Sequence, residues 1–200
     1  MHTYLALGDS YTIGEQVSGK DNFPNQVVEK LRNIGITISE PLIIAQTGWT
    51  TDELLTSIRE HNLNETFSFV TLLIGVNNQY RNRSIENYQD EFSQLLNIAI
   101  AYTKGITTHV IVVSIPDWGI TPFAEGRNRE QIEQEINNYN TSCKEIAIAR
   151  NCHFVEITES TRKNGILADY LANDGLHPSA KEYNIWAEKI TKIVEQEISK

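Results

Sequence analysis

Apolar residues in this chain fall into two alternating patterns, short continuous runs and amphipathic stretches. The runs are rich in aliphatic and β-branched residues, which favour strands covered on both faces. They predict five strands, at 3–7, 36–45 (in two pieces around Pro41), 67–74, 109–115 and 154–157. In the amphipathic segment 24–34, Val27, Val28, Leu31 and Ile34 share one face, which predicts a helix that stops before Gly35.

Several helix boundaries have their own sequence signals. Thr50 and Glu53 form a Ser/Thr-x-x-Glu capping box, which predicts a helix that begins there and ends near residue 62. A second box, Ser179 with Glu182, predicts the start of the last helix. Two longer helices are predicted from Ser84 to about residue 104 and from about residue 129 to residue 150. Loops are expected at 116–128 and in the irregular stretch that leads to His177.

Strands that alternate with helices predict an α/β fold, with a parallel sheet, helices on both faces and right-handed crossovers. No linker or repeat interrupts the alternation, so residues 1–200 are interpreted as a single domain. Ligands of such sheets bind outside the carboxyl ends of the strands. Chemically reactive residues are therefore expected just after the predicted strands.

The composition narrows the function classes. A net charge of −9 argues against a nucleic-acid partner and against docking on an anionic membrane. No apolar run approaches the ~20 residues of a membrane span. Met1 leads directly into the first strand without a signal-peptide pattern, which predicts a cytoplasmic protein by default, the alternative being that a signal has been removed. Cys143 and Cys152 are too few for a disulfide framework and are expected to be free thiols, although a single bridge between them is possible.

The main candidate chemistry lies at opposite ends of the chain. Ser10 follows the first predicted strand in Gly8-Asp9-Ser10, and Asp174 precedes His177 by three positions. A carboxylate at that spacing can hold an imidazole, which can in turn activate a serine for nucleophilic acyl transfer. Each motif alone has a structural interpretation, as a capping turn or a chance pair.

Acyl transfer also requires hydrogen-bond donors for the oxyanion. The backbone N–H of Ser10 is one candidate. Gly48, after the second strand, can offer an unobstructed N–H, and Asn77, after the third, can offer its side-chain amide. Taken separately, Gly48 is typical of a turn and Asn77 of a loop.

In this order, the four segments resemble the SGNH (GDSL) hydrolase family. Its blocks match Gly8-Asp9-Ser10, Gly48, Gly75-Val76-Asn77-Asn78 and Asp174-Gly175-Leu176-His177, so the resemblance covers nearly the whole chain. It implies a flavodoxin-like three-layer α/β/α sandwich with Ser10 as nucleophile, His177 and Asp174 completing a triad, and Ser10, Gly48 and Asn77 forming the oxyanion hole. Asn78 departs from the family's Gly-x-Asn-Asp pattern. We expect altered hydrogen bonding there, with activity retained.

Aromatic residues near the predicted strand ends are candidates for the substrate pocket. They are Trp49, Tyr80, Trp118 and Phe123, which either line an acyl pocket or pack the loops onto the sheet. Four arginines nearby, Arg81, Arg83, Arg127 and Arg129, either favour an anionic head group or offset acidic neighbours.

The sequence therefore predicts a serine esterase that acts on small-molecule esters, with thioesters also possible, and that requires no metal or cofactor. A compact chain favours short or medium acyl chains. Two alternatives come from other classes. One is a non-catalytic ligand-binding protein that keeps the hydrolase fold. The other is a phosphate-handling protein with Asp9 as phosphoryl acceptor, although no second Asp follows two positions later and no nucleotide motif occurs.

Overall fold

The computed structural model describes residues 1–198 and contains one five-stranded parallel sheet with the strand order β2-β1-β3-β4-β5. The strands are β1 (Tyr4–Asp9), β2 (Leu42–Gln46), β3 (Phe69–Leu73), β4 (Val110–Val113) and β5 (His153–Val155). Every residue of β1, β3 and β4 is buried, whereas the edge strands β2 and β5 are partly exposed. The continuous apolar runs in the sequence therefore mark strands that are covered on both faces.

Eight helices connect the strands or follow them within the described residues. They are α1 (Ser10–Ile13), α2 (Phe23–Asn33), α3 (Thr51–His61), α4 (Val76–Tyr80), α5 (Ile85–Tyr102), α6 (Arg129–Ala149), α7 (Thr158–Asn164) and α8 (Ala180–Ile198). Helix α2 packs against α8, while α5 packs against both α3 and α6. With right-handed crossovers, this arrangement places α2 and α8 on one face and α3, α5 and α6 on the other. The predicted three-layer α/β fold is confirmed.

The second predicted strand is shorter than expected. Only Leu42–Gln46 forms a strand, and Ile38 makes an isolated bridge to His2. Pro41 cannot donate a ladder hydrogen bond, so the regular pairing begins after it. The predicted irregular stretch before His177 contains a helix, α7, whose short polar sequence gives no clear apolar periodicity.

The first predicted capping box is confirmed. The second correctly marks the start of α8 at Ala180, where Ser179 Oγ accepts the Lys181 N–H at 3.2 Å, but Glu182 does not complete the box. The backbone N–H of Thr50 donates to Glu53 Oε2 at 2.8 Å. The Ser179 N–H instead donates to the Tyr170 carbonyl at 2.9 Å. Glu182 is buried. Its carboxylate accepts from three side chains, Ser160 Oγ, Asn164 Nδ2 at 2.8 Å and Trp186 Nε1 at 3.0 Å. These donors satisfy the buried carboxylate and tie α7 to the start of α8.

Both cysteines are free, as expected. Cys143 lies on α6, and Cys152 precedes β5. Within residues 1–198, no helix combines the length and the apolar character required to cross a membrane.

Candidate active site

Ser10 is the first residue of α1, directly after the end of β1. Asp9 caps this helix, since its Oδ1 accepts the Tyr11 N–H at 3.0 Å. Gly8 makes the tight turn possible, because a Cβ there would lie 2.1 Å from Thr12 Oγ1. Gly14 ends the helix with a φ of 77°, and its N–H donates to the Ser10 carbonyl. The Ser10 hydroxyl is thus fixed at the carboxyl edge of the sheet's central region.

His177 lies between Ser10 and Asp174. Its Nε2 is 3.0 Å from Ser10 Oγ, and its Nδ1 is 2.5 Å from Asp174 Oδ2. The other carboxylate oxygen, Asp174 Oδ1, accepts the backbone N–H groups of Leu176 and His177, both at 3.0 Å. A carboxylate that bonds Nδ1–H leaves the lone pair of Nε2 directed at the serine hydroxyl.

The Asp174 carboxyl is suited to remain ionised. Partial burial raises its pKa, but the hydrogen bonds from the His177 side chain and from the two backbone N–H groups outweigh burial and hold the pKa below its ordinary value. A fixed negative charge beside Nδ1 stabilises the imidazolium that forms when His177 accepts a proton.

The Asp174–His177 segment is held by backbone contacts rather than by a strand end. Helix α7 and a long loop separate it from β5, so the general expectation that reactive residues come just after the strands fails for this segment. Leu171 pairs with Pro178 in an antiparallel bridge, and the Ala172 N–H donates to the His177 carbonyl at 2.8 Å. The Tyr11 ring packs on the imidazole at a centroid distance of 5.3 Å.

The three predicted oxyanion donors line the same cleft. Ser10 is the first residue of its helix, where the N–H has no intrahelical partner. Gly48 has a φ of 85°, which an L-residue with a side chain rarely adopts. Asn77 lies on α4, not on a loop, and its Nδ2 donates to the Trp49 carbonyl at 2.9 Å. That bond fixes the amide and uses one of its two hydrogens, which leaves the second for a ligand.

The cleft has a volume of about 190 Å³ and a largely aromatic wall. Trp118 stands between Tyr80 and Phe123, with centroid distances of 5.4 and 6.0 Å, and its Nε1 donates to Gln79 Oε1 at 2.8 Å. These three aromatic residues line the cleft, and a role for them in acyl binding stays a prediction. Trp49 does not, because its side chain packs against the hydrophobic core.

Four further lining residues were not identified from the sequence, Tyr11, Thr47, Val76 and Leu176. Each is adjacent in sequence to Ser10, Gly48, Asn77 or His177, and this adjacency is the sequence signal that could have identified them as lining residues.

Three of the four arginines bind protein groups. Arg81 Nη2 donates to the Gly48 carbonyl at 2.7 Å, and Arg83 Nη1 pairs with Asp52 at 2.7 Å. Arg129 donates to two backbone carbonyls of the loop that precedes α6. These contacts favour a structural role over recognition of an anionic head group. Among the described residues, no group of His, Cys, Asp and Glu side chains is arranged to hold a metal ion.

Asp9 is fully buried, which is unsuitable for a phosphoryl acceptor. Its Oδ2 lacks a hydrogen-bond partner among the described residues. Burial raises the pKa of the Asp9 carboxyl to about 7, against the opposing effect of the backbone N–H groups of Tyr11 and Asp9. The geometry assigns Asp9 a helix-capping role, and its ionisation is costly.

This burial predicts a pH-dependent stability. A carboxyl whose pKa is raised in the folded state binds more protons there than in the unfolded chain, where its pKa is about 3.9. The free energy of unfolding should therefore decrease as the pH rises from about 4 to about 7, by at most about 1.4 kcal/mol per pH unit from this group. Asp9→Asn, which retains a capping side chain, should flatten that slope in urea unfolding.

Asp174 provides an internal control for this measurement, because its lowered pKa makes the free energy of unfolding increase with pH instead of decreasing. Its stabilisation is present above the unfolded pKa and is lost as the pH falls through the folded value, so acid destabilisation should persist in Asp9→Asn. Parallel stability curves for the wild type and Asp9→Asn from about pH 5 to about pH 7.5 would contradict the prediction.

The chain is similar to known proteins in sequence pattern and in fold. A model of the GDSL-like lipase/acylhydrolase family matches residues 6–185. No curated protein sequence matches the chain significantly. Among solved structures, the fold is similar to TesA, with a TM-score of 0.76, 16% identity and coverage of 97% of this chain and 98% of that one.

Two further structures are similar at comparable levels. The psychrotrophic esterase EstA from Pseudoalteromonas sp., inhibited by monoethylphosphonate, has a TM-score of 0.76 and 15% identity, with 100% of both chains covered. The acetyl xylan esterase Axe2 from Geobacillus stearothermophilus, in a variant form, has a TM-score of 0.71 and 20% identity, with 96% of this chain and 94% of that chain covered. At these identities the structures support the fold.

Proposed function

Because the chain belongs to the GDSL-like lipase/acylhydrolase family, we propose that it is a serine hydrolase that cleaves small carboxylic esters through an acyl-enzyme. The observation that carries the proposal is the alignment of Ser10 Oγ, the His177 ring and the Asp174 carboxylate, with separations of 3.0 and 2.5 Å. A hydroxyl, a base and an orienting anion at hydrogen-bond distance are the elements of nucleophilic acyl transfer.

In the first half-reaction, Ser10 Oγ attacks the ester carbonyl as its proton moves to His177 Nε2. The oxyanion accepts hydrogen bonds from the N–H groups of Ser10 and Gly48 and from the Asn77 amide. The C–O bond to the alcohol then breaks, and the imidazolium returns its proton to the leaving oxygen. Asp174 stabilises the positive imidazolium throughout without itself accepting the proton.

In the second half-reaction, His177 takes a proton from water, which attacks the acyl-serine carbonyl. The same oxyanion donors stabilise the second tetrahedral intermediate. As it collapses, the bond between the acyl carbon and Ser10 Oγ breaks, the His177 imidazolium returns its proton to Ser10 Oγ, and the acid is released. The aromatic wall formed by Tyr80, Trp118 and Phe123 supports an acyl-binding role for the cleft. Its volume of about 190 Å³ favours short to medium chains.

The chain-length profile tests this proposal directly. Purified protein is assayed on p-nitrophenyl esters from acetate to laurate, and on the matching thioesters, with and without EDTA. We expect turnover that is insensitive to chelator, that declines for the longest chains and that is abolished when a phosphonate ester labels Ser10. Folded protein that binds esters without turnover and resists labelling would favour the ligand-binding alternative.

Asn77→Ala should lower kcat by about 10²- to 10³-fold with a smaller change in KM, because the amide bonds the oxyanion more strongly than the ground-state carbonyl. Steady-state kinetics on the best ester measure the effect. Asn138→Ala is the matched control, since Asn138 is an exposed residue of α6 and does not line the cleft. An equal loss in both variants would contradict an oxyanion role.

A further inference from the structure

The two segments that carry Gly48 and Asn77 are cross-linked by hydrogen bonds at three positions. The contacts are Arg81 Nη2 to Gly48 O at 2.7 Å, Asn77 Nδ2 to Trp49 O at 2.9 Å, and the Asn78 amide to Thr51. Since two of the three oxyanion donors lie on these segments, their separation depends on this set of contacts. The Asn78–Thr51 contact is the most protected, because both residues are fully buried.

The direction of each hydrogen bond at Asn78 is determined by its partners. Asn78 Oδ1 accepts the Thr51 backbone N–H at 3.1 Å, so Nδ2 must be the atom that faces Thr51 Oγ1 at 2.6 Å. An amide nitrogen only donates, and therefore the Thr51 hydroxyl accepts from Asn78. The Thr51 hydroxyl in turn donates its single hydrogen to the Glu91 carboxylate.

Glu91 is held in place on its other side. Its Oε1 accepts from Asn87 Nδ2 at 2.8 Å, and its Oε2 lies 3.9 Å from Arg83 Nη1. The result is a series of hydrogen bonds donated in one direction, from Asn78 to Thr51 and from Thr51 to Glu91. It connects α4 to the start of α3 and to α5. Each donor atom in this series of hydrogen bonds contacts an acceptor.

We propose that Asn78 is a positioning residue for the oxyanion donors and that it forms a matched pair with Glu91 through Thr51. This inference rests on the proposed function for its catalytic part. The family's pattern has Asp at position 78. In this chain, a carboxylate there would place two acceptors around one hydroxyl that has one proton. One carboxylate oxygen would then face the Thr51 hydroxyl oxygen with no hydrogen between them. Each carboxylate keeps another contact, but an unbonded oxygen at the fully buried position 78 is unfavourable.

The pairing makes a prediction that is specific to this chain. Asn78→Asp should disturb the spacing between Gly48 and Asn77 and lower kcat by about 10- to 100-fold, with KM changed by less than about threefold. Glu91→Gln should relieve the defect, because the Gln amide can donate to Thr51 and the Thr51 proton can then pass to Asp at position 78. In the double variant the two side-chain hydrogen bonds at Thr51 Oγ1 are donated in the opposite direction.

The test is a double-mutant cycle of wild type, Asn78→Asp, Glu91→Gln and the double variant, measured by kcat, KM and urea unfolding. We expect kcat of the double variant to lie within about threefold of Glu91→Gln alone. Wild-type kcat in Asn78→Asp would overturn the positioning role. A loss of kcat that Glu91→Gln does not relieve would overturn the pairing.

If Asn78→Asp does not fold, a second pair of variants tests whether the Thr51 hydroxyl is needed to position the oxyanion donors. Thr51→Val keeps the backbone N–H but removes the hydroxyl, whereas Thr51→Ser keeps both. We expect a kcat loss with little change in KM in Thr51→Val, and recovery in Thr51→Ser. Equal kcat values for the two variants would overturn the proposal.

Failure of the proposed function gives a different result. Absence of ester turnover in the wild-type protein would overturn that function and the positioning role with it. The coupling between Asn78 and Glu91 is then decided by the urea-unfolding cycle alone, where additive effects of the two substitutions would overturn the pairing.

Discussion

Replacement of Ser10 by alanine is expected to lower kcat by about 10⁴- to 10⁶-fold while leaving substrate binding nearly unchanged. The variant lacks the atom that forms the acyl-enzyme, and His177 Nε2 loses the hydroxyl that lies 3.0 Å away. The cleft walls and the oxyanion donors remain, so a small residual rate above that of water is expected. Single-turnover and steady-state kinetics on the best p-nitrophenyl ester measure the loss.

Ser142→Ala is the matched control for this prediction. Ser142 is a buried residue of α6 whose hydroxyl has no hydrogen-bond partner among the described residues, so its removal should leave kcat unchanged. Retention of wild-type turnover in Ser10→Ala would show that the acyl-serine mechanism is wrong.

Asp174→Asn is expected to lower kcat by about 10⁴-fold. The carboxylate accepts from Nδ1 at 2.5 Å and so selects the tautomer whose Nε2 can take the serine proton. An asparagine amide can instead donate to Nδ1, which places the ring proton on Nε2 and blocks proton transfer from Ser10. It also removes the negative charge that stabilises the imidazolium. The measurement is kcat on the same ester, with circular dichroism to establish that the variant is folded.

Asp169→Asn provides a control of the same chemistry on the surface, where Asp169 pairs with Lys181 at 3.3 Å. Its kcat should match that of the wild type. If Asp174→Asn lost no more than this control, His177 would not depend on Asp174 for its orientation.

The sequence predicts best those features that depend on local or strongly periodic signals. The central strands were identified because burial on both faces requires continuous apolar runs, as in Val110–Val113. The capping box of Thr50 and Glu53 uses residues three positions apart, and so does the contact of Asp174 with His177. At such spacing, the chain itself brings the partners together.

Features that depend on distant partners could not be predicted. Glu182 has the sequence of a capping residue, but donors on α7 and α8 compete for its carboxylate, and the two on α7 become its neighbours only in the folded protein. In the same way, the departure at Asn78 becomes understandable only when Glu91, on α5, is seen beside Thr51. The direction in which Trp49 points was likewise set by packing against the core.

The docking of α8 against α2 has a consequence for how the protein is made. The hydrogen bond between Ser10 and His177 spans 167 positions of sequence, and the segment that carries His177 leads directly into α8. During synthesis Ser10 leaves the ribosome well before His177 does. Contacts of such large sequence separation form late in folding because their loop-closure entropy must first be offset. On the proposed mechanism, a nascent chain should therefore hydrolyse no ester until the segment that leads into α8 has reached Ser10.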